Sequence, residues 1–587
     1  MISKKSSGML NQLYQHYPLI AALTTLLLLC VGYNYSTPLG VFPDEGPHLG
    51  FVMDVVRQGL PDYSHGLIWN SSKLNYLEHP ALYYVITGKF AQLILHYHDF
   101  SLKFLRLTNY FFSALTIYFS WLALLRLKIS KNACLFAFIP LLSIPMFIML
   151  SASVNNDPLM ILGCTLAFYA FVTFYSDHTQ LSKFIFLLLA GCLITALTKA
   201  TGALSIICVI FCFIIFDFKK AKYILTNLSG RLWVSIFIAL AIVAIYYLLT
   251  WHHFDRFFPS PQENPAFWYQ KTVPDAPRMS LIQHLIAFYR SNMFTLLDPY
   301  GHQNFDDSIW REKLEFIVII AFPFCWVISL FSQYKNNRNI FQLIVVYTIS
   351  FILFMCFYFM KIRSLHLSTG YPGAMQSRYF YGFLPFFIMV YALSFDWLKN
   401  LFIKFLVSLV LAATILFSFY PAWAPQFSPW YGQETFNMTY GELTPNRIFE
   451  QTFVARSKEV NIIALKIGTY QRKNVGSLSL SLYDRASKLI ASDVVDVASV
   501  ADNSWVQFHF KNIALHRGSG YILRLTSSNM QPGSAVTWWA LGPFKEYEQY
   551  AGTAEGPADT GGNRYTDGIN AVDGKPMKGT FTFRIYR

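Results

Sequence analysis

The sequence predicts a polytopic α-helical membrane protein with about 11 transmembrane helices, followed by a C-terminal β-sandwich domain. Of the 587 residues, 54% are hydrophobic and only 13% are charged. Weakly charged apolar runs of about 20 residues, the length that spans a bilayer, recur along the first 420 positions. After these runs, apolar and polar residues alternate with the period of half-buried strands.

The apolar runs mark the expected transmembrane helices. The first, from about Pro18 to Tyr33, has no small-residue cleavage site behind it, so we expect a retained span and not a signal peptide. Clusters of Lys and Arg fall in short loops on the side of the N-terminus, which the positive-inside rule assigns to the cytoplasm. We therefore expect a cytoplasmic N-terminus, and the absence of cysteine from the outside domain is compatible with the periplasm that faces a bacterial inner membrane. The other runs centre near residues 116, 141, 167, 190, 209, 240, 323, 350, 387 and 411.

This orientation predicts a transmembrane domain over residues 1–420 and a periplasmic domain over residues 421–587. Three long polar segments of the first domain, 37–107, 251–313 and 361–377, are then periplasmic. Because polar groups are accessible there, we expect the chemistry of the protein on that side. All eight cysteines fall inside apolar runs, so no disulfide framework or zinc site is predicted.

The formal net charge of +14 does not predict nucleic-acid binding. The basic residues form short clusters between apolar runs, and no basic patch interleaved with aromatic residues stands clear of the membrane. The lipid bilayer is therefore the expected partner. Part of the positive charge also suits an anionic lipid or a lipid-phosphate ligand.

Period-two alternation is clearest in residues 506–510 and 581–585 of the C-terminal domain. The Gly-, Asp- and Thr-rich stretch 551–577 is interpreted as a long loop. Trp505, Trp538 and Trp539 either stack on sugars or pack in the core. Further strands are expected near residues 460–468, 477–483, 490–496, 521–527 and 535–541.

Two adjacent carboxylates, Asp44 and Glu45, follow the first span at the predicted membrane face, and His48 comes three residues later. Partial desolvation disfavours such charges unless a partner or a metal ion compensates them. They are candidate catalytic groups. The alternative is a helix start, because Asp and Glu stabilise the first turn and Pro47 suits that position.

Further polar residues stand where the predicted spans meet the periplasm. His79 opens an aromatic stretch that either belongs to a site or anchors the chain at the interface. Arg106 either snorkels or holds a phosphate. Asp157, followed by Pro158, is either a site residue or a helix cap. Lys199 lies outside, against the positive-inside trend.

The segment 361–377 and the span after it carry another group of polar residues. Arg363, Gln376, Arg378 and Tyr379 cluster there at one predicted membrane face. Arginine binds phosphate with two parallel hydrogen bonds, so this cluster suits a lipid-linked phosphate. Snorkelling of the arginines is the alternative.

In their order and common sidedness, these motifs resemble the integral-membrane glycosyltransferases of the GT-C superfamily. They are more closely similar to a bacterial family of predicted multi-pass membrane proteins of unknown function with a Pro-Asp-Glu first-loop motif. The resemblance covers most of residues 1–420. Two positions depart from the expected pattern: Ser377 stands where we expect Gly, and Ala200 stands where Pro usually follows the Lys.

The resemblance implies a polyprenyl-phosphate sugar donor and makes Asp44 or Glu45 the catalytic base or a metal ligand. Some relatives need a divalent metal and others do not, so the cofactor stays open. Arg378 ranks first among the residues implied to stabilise the leaving phosphate. The full set implied to bind substrate or phosphate is His48, His79, Arg106, Asp157, Lys199, Arg363, Gln376, Arg378 and Tyr379.

The sequence thus predicts a transferase that moves a sugar to a cell-surface glycan or lipid acceptor on the periplasmic side. One alternative is a transporter or flippase of a lipid-linked saccharide. The ionisable groups sit at span ends and not within the spans, which favours an enzyme. A polymerase or ligase of lipid-linked oligosaccharides, and a binding protein with a sugar-binding ectodomain, are further alternatives.

Overall fold

The chain divides into two compact units. The larger takes most of Met1–Ala422, and the smaller takes Trp423–Arg587 with the short segments Asn34–Gly46 and Ser101–Lys103. The predicted domain boundary at residue 420 lies outside the described residues. The computed structural model describes residues 2–36, 42, 44–59, 79–97, 102–257, 266, 270, 277–297, 309–371, 373–398, 400, 404, 409, 430–433, 438–455, 457–470, 472, 474–531, 533–541, 570–577 and 579–586.

The larger unit is helical throughout its described part. A 3-10 helix, Ser377–Phe383, precedes the last described α-helix of this unit. The α-helices are α1 (Ile2–Ser36), α2 (Glu45–Gln58), α3 (Leu82–Tyr97), α4 (Leu102–Arg126), α5 (Lys131–Leu142), α6 (Pro145–Ser151), α7 (Asp157–Ser176), α8 (Leu181–Ala196), α9 (Ala200–Phe216), α10 (Phe218–Asn227), α11 (Gly230–Phe254), α12 (Leu281–Leu297), α13 (Ile309–Asn336), α14 (Arg338–Thr369) and α15 (Leu384–Trp397).

Ten of the 11 predicted span centres lie in these helices, and the centre near residue 411 lies outside the described residues. Within the described part, 6 helices are long and apolar enough to cross a membrane. The number rises to 8 if each of two bent pairs, α5 with α6 (83°) and α9 with α10 (102°), is one span. The membrane class is confirmed, and the count of 11 stays a prediction.

Two of the predicted periplasmic segments contain more helix than expected. The segment 37–107 includes α2 and α3, and α4 already begins at Leu102. The segment 361–377 begins inside α14, which continues to Thr369. That helix ends at Gly370 in the left-handed conformation, with φ 78°. Glycine adopts this conformation without steric cost, so the helix ends there and not where the charges begin.

A close approach of α7 and α8 brings the turns at their ends together. A Cβ atom at Gly191 would lie 2.5 Å from the carbonyl oxygen of Gly163, so neither glycine leaves room for a side chain. Small residues allow helix backbones to approach in this way. As a consequence, the start of α7 at Asp157 and the turn after α8 at Lys199 are neighbours.

The C-terminal unit consists of two antiparallel sheets. Within the described residues, the seven-stranded sheet has the order β1-β13-β4-β9-β12, with β2 on β9 and β7 on β4, and the six-stranded sheet has the order β11-β10-β3-β8-β5-β6. The strands are β1 (Trp430–Gln433), β2 (Met438–Thr439), β3 (Ile448–Val454), β4 (Glu459–Gly468), β5 (Ser477–Asp484), β6 (Leu489–Asp496), β7 (Ser504–Ala514), β8 (Gly520–Ser528), β9 (Thr537–Leu541), β10 (Asn570–Val572), β11 (Lys575–Met577), β12 (Thr580–Phe581) and β13 (Phe583–Tyr586).

Inward-facing side chains of both sheets form one hydrophobic core. Phe449 of the six-stranded sheet stacks on Phe581 of the seven-stranded sheet, with ring centroids 5.3 Å apart. The alternating residues 506, 508 and 510 of β7 are buried, as predicted. The two sheets therefore pack face to face as the predicted β-sandwich.

The predicted long loop 551–577 is wrong at its C-terminal end. Residues 551–569 lie outside the described part, but β10 and β11 form a hairpin on β3. Its turn residues Asp573 and Gly574 have φ 52° and 76°, the positive values of a type I′ turn. The backbone N–H of Ile448, together with Arg447, holds the pKa of the Asp573 carboxyl below its usual value.

The three tryptophans considered for sugar stacking have different environments. Trp538 is fully buried, stacks on Phe581 at 4.4 Å and donates its Nε1–H to the carbonyl oxygen of Thr582 at 2.6 Å. Its role is core packing, and the sugar-stacking hypothesis is wrong for this residue. Trp505 and Trp539 are half-buried, so for them the hypothesis stays a prediction.

Candidate functional site

Three charged side chains from distant parts of the sequence meet inside the helical unit. Lys199 Nζ lies 2.6 Å from Asp157 Oδ1, and Arg378 Nη1 lies 3.7 Å from Asp157 Oδ2. All three residues are buried, with Asp157 fully so. The ring of Tyr379 completes the group, 5.6 Å from Lys199 Nζ and 5.5 Å from Arg378 Cζ. We call Asp157, Lys199, Arg378 and Tyr379 the cation centre.

The position of Asp157 follows from the local start of α7. Asn156 occupies the N-cap position, Pro158 follows in the first turn, and no side chain makes the usual cap hydrogen bond. Instead, the backbone N–H of Asp157 donates to Asn155 Oδ1 at 2.9 Å. The helix start predicted at Asp157 and Pro158 is therefore confirmed, but the carboxylate of Asp157 contacts Lys199 and Arg378 and makes no described cap hydrogen bond.

Burial of these charges changes the interpretation of the two arginines. Arg378 is 4% exposed and Arg106 is 1% exposed. A snorkelling side chain extends its charged head to the interface, whereas these two are enclosed by protein. Snorkelling is thus contradicted for both. Buried charges are tolerated when they are paired, as Asp157 pairs with Lys199 and Arg378.

A hydrogen-bonded chain joins the other predicted motifs to the turns of the cation centre. His48 Nδ1 lies 2.8 Å from the hydroxyl oxygen of Tyr84, which accepts a hydrogen bond from Asn156 Nδ2 at 3.4 Å. Asn156 Nδ2 also donates to the carbonyl oxygen of Thr198 at 3.3 Å. The ring of His79 stacks on that of His48 at 5.8 Å. The described contacts thus bring His48 and His79 together.

Asn109 is a site-supporting residue whose role the sequence does not indicate. It is fully buried on α4, and its Nδ2 lies within hydrogen-bond distance of three carbonyl oxygens, those of Leu150 (3.2 Å), Ser153 (2.6 Å) and Asn155 (2.7 Å). These carbonyls belong to the turn that leads into α7. The amide therefore fastens the turn that presents Asp157.

We expect Asn109→Ala to destabilise the helical unit by about 1–3 kcal/mol, because buried carbonyl groups lose their donor. Asn227→Ala is the matched control, since Asn227 is exposed and bonds to the carbonyl oxygen of Tyr223 on its own helix. Thermal denaturation of the purified proteins measures the difference. Equal melting temperatures for the two variants would contradict the role of Asn109.

Arg363 lies in a second cluster and has no described contact with the cation centre. Its Nη1 donates to the carbonyl oxygen of Met279 at 2.7 Å and lies 3.4 Å from His284 Nδ1. His366 accepts the N–H of Met279 at its Nε2 (2.9 Å) and contacts the carbonyl oxygen of Tyr371 through Nδ1 (3.1 Å). This cluster fastens the start of α12 to the end of α14.

Gln376 precedes the 3-10 helix that carries Arg378. Its backbone N–H donates to the hydroxyl oxygen of Tyr358 at 2.8 Å, and that hydroxyl in turn contacts the carbonyl oxygen of Ala374 at 3.0 Å. Ser377, at the position where glycine is expected, is buried and contacts the hydroxyl of Tyr381 at 3.2 Å. The serine thus makes a hydrogen bond that a glycine could not make.

The acidic pair stands at the start of α2. Asp44 is half-buried in the left-handed region with φ 54°, and Glu45, the first helical residue, is fully buried. The backbone N–H of Glu45 donates to the carbonyl oxygen of Phe42 at 3.3 Å. A helix start at Glu45 is therefore confirmed, and the catalytic role of the pair stays a prediction.

Metal binding is not assigned by the described side chains. Within the described part of the chain, no group of three or more His, Cys, Asp or Glu is placed to hold a metal ion. Carboxylates and imidazoles are the ligands expected of a divalent cation, and Asp44, Glu45, His48 and His79 remain the residues of that type in the first predicted motifs. The cofactor question stays open.

A family model matches part of the chain. Residues 79–258 match the family model described as dolichyl-phosphate-mannose-protein mannosyltransferase. This segment contains His79, Arg106, Asp157 and Lys199, while the acidic pair and Arg378 lie outside it. The match covers less than half of the chain and agrees with the resemblance to the GT-C superfamily that the order of the motifs predicts. Placement closest to a bacterial family of unknown function stays a prediction.

Two solved structures are similar to the chain at low identity. ArnT from Cupriavidus metallidurans bound to undecaprenyl phosphate is 15% identical, with a TM-score of 0.43, and the alignment covers 68% of this chain and 64% of that one. The apo state of the same protein is also 15% identical, with a TM-score of 0.41, and the alignment covers 67% of this chain and 61% of that one. The chain thus spans less than two thirds of their length. No curated protein sequence matches the chain.

Proposed function

We propose that the chain is a membrane glycosyltransferase that moves a sugar from a polyprenyl-phosphate donor to a cell-surface glycan or lipid. The observation that carries this proposal is the cation centre, in which two buried cations and an aromatic ring surround one carboxylate. The family match over residues 79–258 supports a lipid-phosphate sugar donor, as the name of that family describes.

Arg378 and Lys199 bind the donor phosphate in this proposal. A guanidinium matches two phosphate oxygens in one plane, and an ammonium adds a point charge beside it. Asp157 acts through these cations, because a carboxylate holds them in place but repels a phosphate. Tyr379, His48, His79 and Gln376 carry donors or aromatic surface suited to the sugar or the phosphate.

The proposed reaction is a displacement at the anomeric carbon. The acceptor hydroxyl oxygen forms a bond to that carbon while the bond to the phosphate oxygen breaks, and the electron pair of that bond stays on the phosphate. The hydroxyl proton passes to Asp44 or Glu45 as general base. Arg378 and Lys199 stabilise the charge that grows on the leaving phosphate. Stabilisation of such developing charge is usually the largest single contribution to catalysis.

We also propose that transfer takes place on the periplasmic side of the bacterial inner membrane. The cytoplasmic N-terminus and periplasmic C-terminal domain follow from the distribution of Lys and Arg among the short loops. The β-sandwich is proposed to recruit the acceptor. The half-buried Trp505 and Trp539 are the aromatic groups proposed to contact a sugar, although the Arg584 guanidinium lies 4.0 Å from the ring centre of Trp505.

Binding of undecaprenyl phosphate to purified protein in nanodiscs tests the role of Arg378. We expect Arg378→Gln to raise Kd about 10- to 100-fold, because a charge-assisted hydrogen bond contributes about 1.5–3 kcal/mol. Arg378→Lys keeps the charge but not the planar fork, so an intermediate Kd is expected.

Arg338→Gln is the control, since Arg338 is an exposed arginine at the start of α14. A wild-type Kd for Arg378→Gln, in a protein that retains its melting temperature, would refute phosphate binding by this residue.

A further inference from the structure

Tyr84 and Asn156 connect segments that carry four separate motifs, yet neither was among the predicted site residues. Tyr84 lies on α3 after His79, and Asn156 directly precedes Asp157. Their hydrogen bonds reach His48 on α2 and Thr198, the neighbour of Lys199. All the side chains of this connection belong to the helical unit.

The amide of Asn156 determines the direction of two of these hydrogen bonds. The amide nitrogen of Asn156 can only donate, and its two hydrogens serve the hydroxyl oxygen of Tyr84 and the carbonyl oxygen of Thr198. The Tyr84 oxygen accepts from Asn156 and lies 2.8 Å from His48 Nδ1, which accepts the phenolic hydrogen in one tautomer of the imidazole and donates to the oxygen in the other. When Tyr84 donates, the hydrogen of the neutral imidazole is on Nε2.

The surroundings of Tyr84 leave its hydroxyl little freedom. The residue is fully buried, and its ring stacks on Phe51 of α2 with centroids 3.9 Å apart. Tyr83 meets it edge-on at 5.2 Å. At the start of the same helix, the backbone N–H of Leu82 donates to the carbonyl oxygen of Leu197 at 2.9 Å. Both ends of the connection are therefore held by packing and by backbone contacts.

We infer that Tyr84 donates to His48 Nδ1 and is a positioning residue. It holds the imidazole of His48 in the tautomer with its hydrogen on Nε2 and in register with the turns that carry Asp157 and Lys199. The inference rests on the proposed function and adds to it a residue that acts through another. The described contacts of the Tyr84 hydroxyl are with Asn156 and His48, so in this inference it acts on the substrate through the imidazole that it orients. Misplacement of a site group by about 1 Å lowers turnover on the order of 100-fold.

Tyr84→Phe removes the hydroxyl and keeps the ring, with Tyr83→Phe as the matched control at an equally buried neighbour. We expect Tyr84→Phe to lower kcat about 10- to 100-fold while KM for the donor changes less than about 3-fold. Tyr83→Phe is expected to stay near wild type. In a double-mutant cycle, the kcat of the variant that combines Tyr84→Phe with His48→Gln should be no lower than that of His48→Gln alone.

A spectroscopic measurement tests the same contact without sugar transfer. In protein labelled with ¹⁵N-histidine and assigned with His48→Gln, we expect His48 Nδ1 to be unprotonated and Nε2 protonated. Tyr84→Phe should change these two resonances, and Tyr83→Phe should leave them in place.

Three results would overturn the inference: wild-type kcat for Tyr84→Phe, equal losses for both tyrosine variants, or a proton on His48 Nδ1. If the wild-type protein transfers no sugar from any donor, the proposed function fails. The ¹⁵N spectra then still decide whether Tyr84 sets the tautomer of His48.

Discussion

Asp44→Asn is expected to lower sugar transfer by at least about 100-fold, and Glu45→Gln by a similar factor if both carboxylates take part. A positioned general base contributes about 10²- to 10⁴-fold, and an amide of the same shape cannot accept the proton of the acceptor hydroxyl. Turnover of the donor by the purified protein measures the loss. Donor binding should persist, because the phosphate contacts are assigned to Arg378 and Lys199.

The backbone of Asp44 determines which substitution is informative. Its φ of 54° lies in the left-handed region, which asparagine and aspartate adopt more readily than alanine. Asparagine therefore removes the charge without adding strain, whereas alanine would mix the two effects. Asp54→Asn is the control on the same helix. Full activity in both Asp44→Asn and Glu45→Gln would refute the catalytic role of the pair.

The second large effect is expected from Asp157→Ala. Removing the carboxylate leaves Lys199 and Arg378 without the group they share, and breaking a buried ion pair costs about 3–5 kcal/mol. We expect a lower melting temperature and weaker donor binding. Asp177→Asn is the control, because Asp177 is only half-buried and bonds mainly to Thr179.

A combined change separates charge from shape at the cation centre. Asp157→Asn with Lys199→Gln removes one charge of each sign, so the double variant should recover part of the stability that Asp157→Asn alone loses. If the stability lost by the double variant equals the sum of the losses of the two single variants, the pair contributes no coupling energy. Such a result would contradict the assignment of Asp157 as the partner of Lys199.

The members of the cation centre could be found from the sequence, but their pairing could not. Asp157, Lys199 and Arg378 are each polar residues at the end of an apolar run, and a lysine on the predicted periplasmic side departs from the positive-inside trend. Their separation along the chain is far too large for any periodicity to relate them. The close approach of α7 and α8 at Gly163 and Gly191 brings the first two together.

Residues that support the site through contacts with other residues are harder to recognise from the sequence. Asn109 reads as one polar residue near the start of a span, although its amide fastens a whole turn. Tyr84 reads as an interface aromatic, although its hydroxyl connects His48 to Asn156. The partners of Arg363 are a backbone carbonyl and a histidine of another helix, which no local pattern reports.

Three strands of the β-sandwich, β1, β2 and β3, and the hairpin of β10 and β11 are not among the strands that the sequence predicts. Strand β3 has a polar residue, Gln451, at a buried position between Phe449 and Phe453, which interrupts its apolar alternation. The buried side-chain oxygen of Gln451 has a hydrogen-bond partner, because it accepts the backbone N–H of Phe581 at 2.7 Å. The hairpin of β10 and β11, which pairs with β3, contains Asp-Gly at 573–574, a common type I′ turn pair.

Donor turnover by the wild-type protein tests the central claim most directly. Purified full-length protein in nanodiscs is given polyprenyl-phosphate sugars and a membrane glycan extract, and labelled sugar is followed from donor to acceptor. The proposed function predicts a new glycosidic bond together with released polyprenyl phosphate. No cleavage of any donor, with intact lipid-linked saccharide crossing the bilayer of proteoliposomes, would contradict it and indicate a transporter.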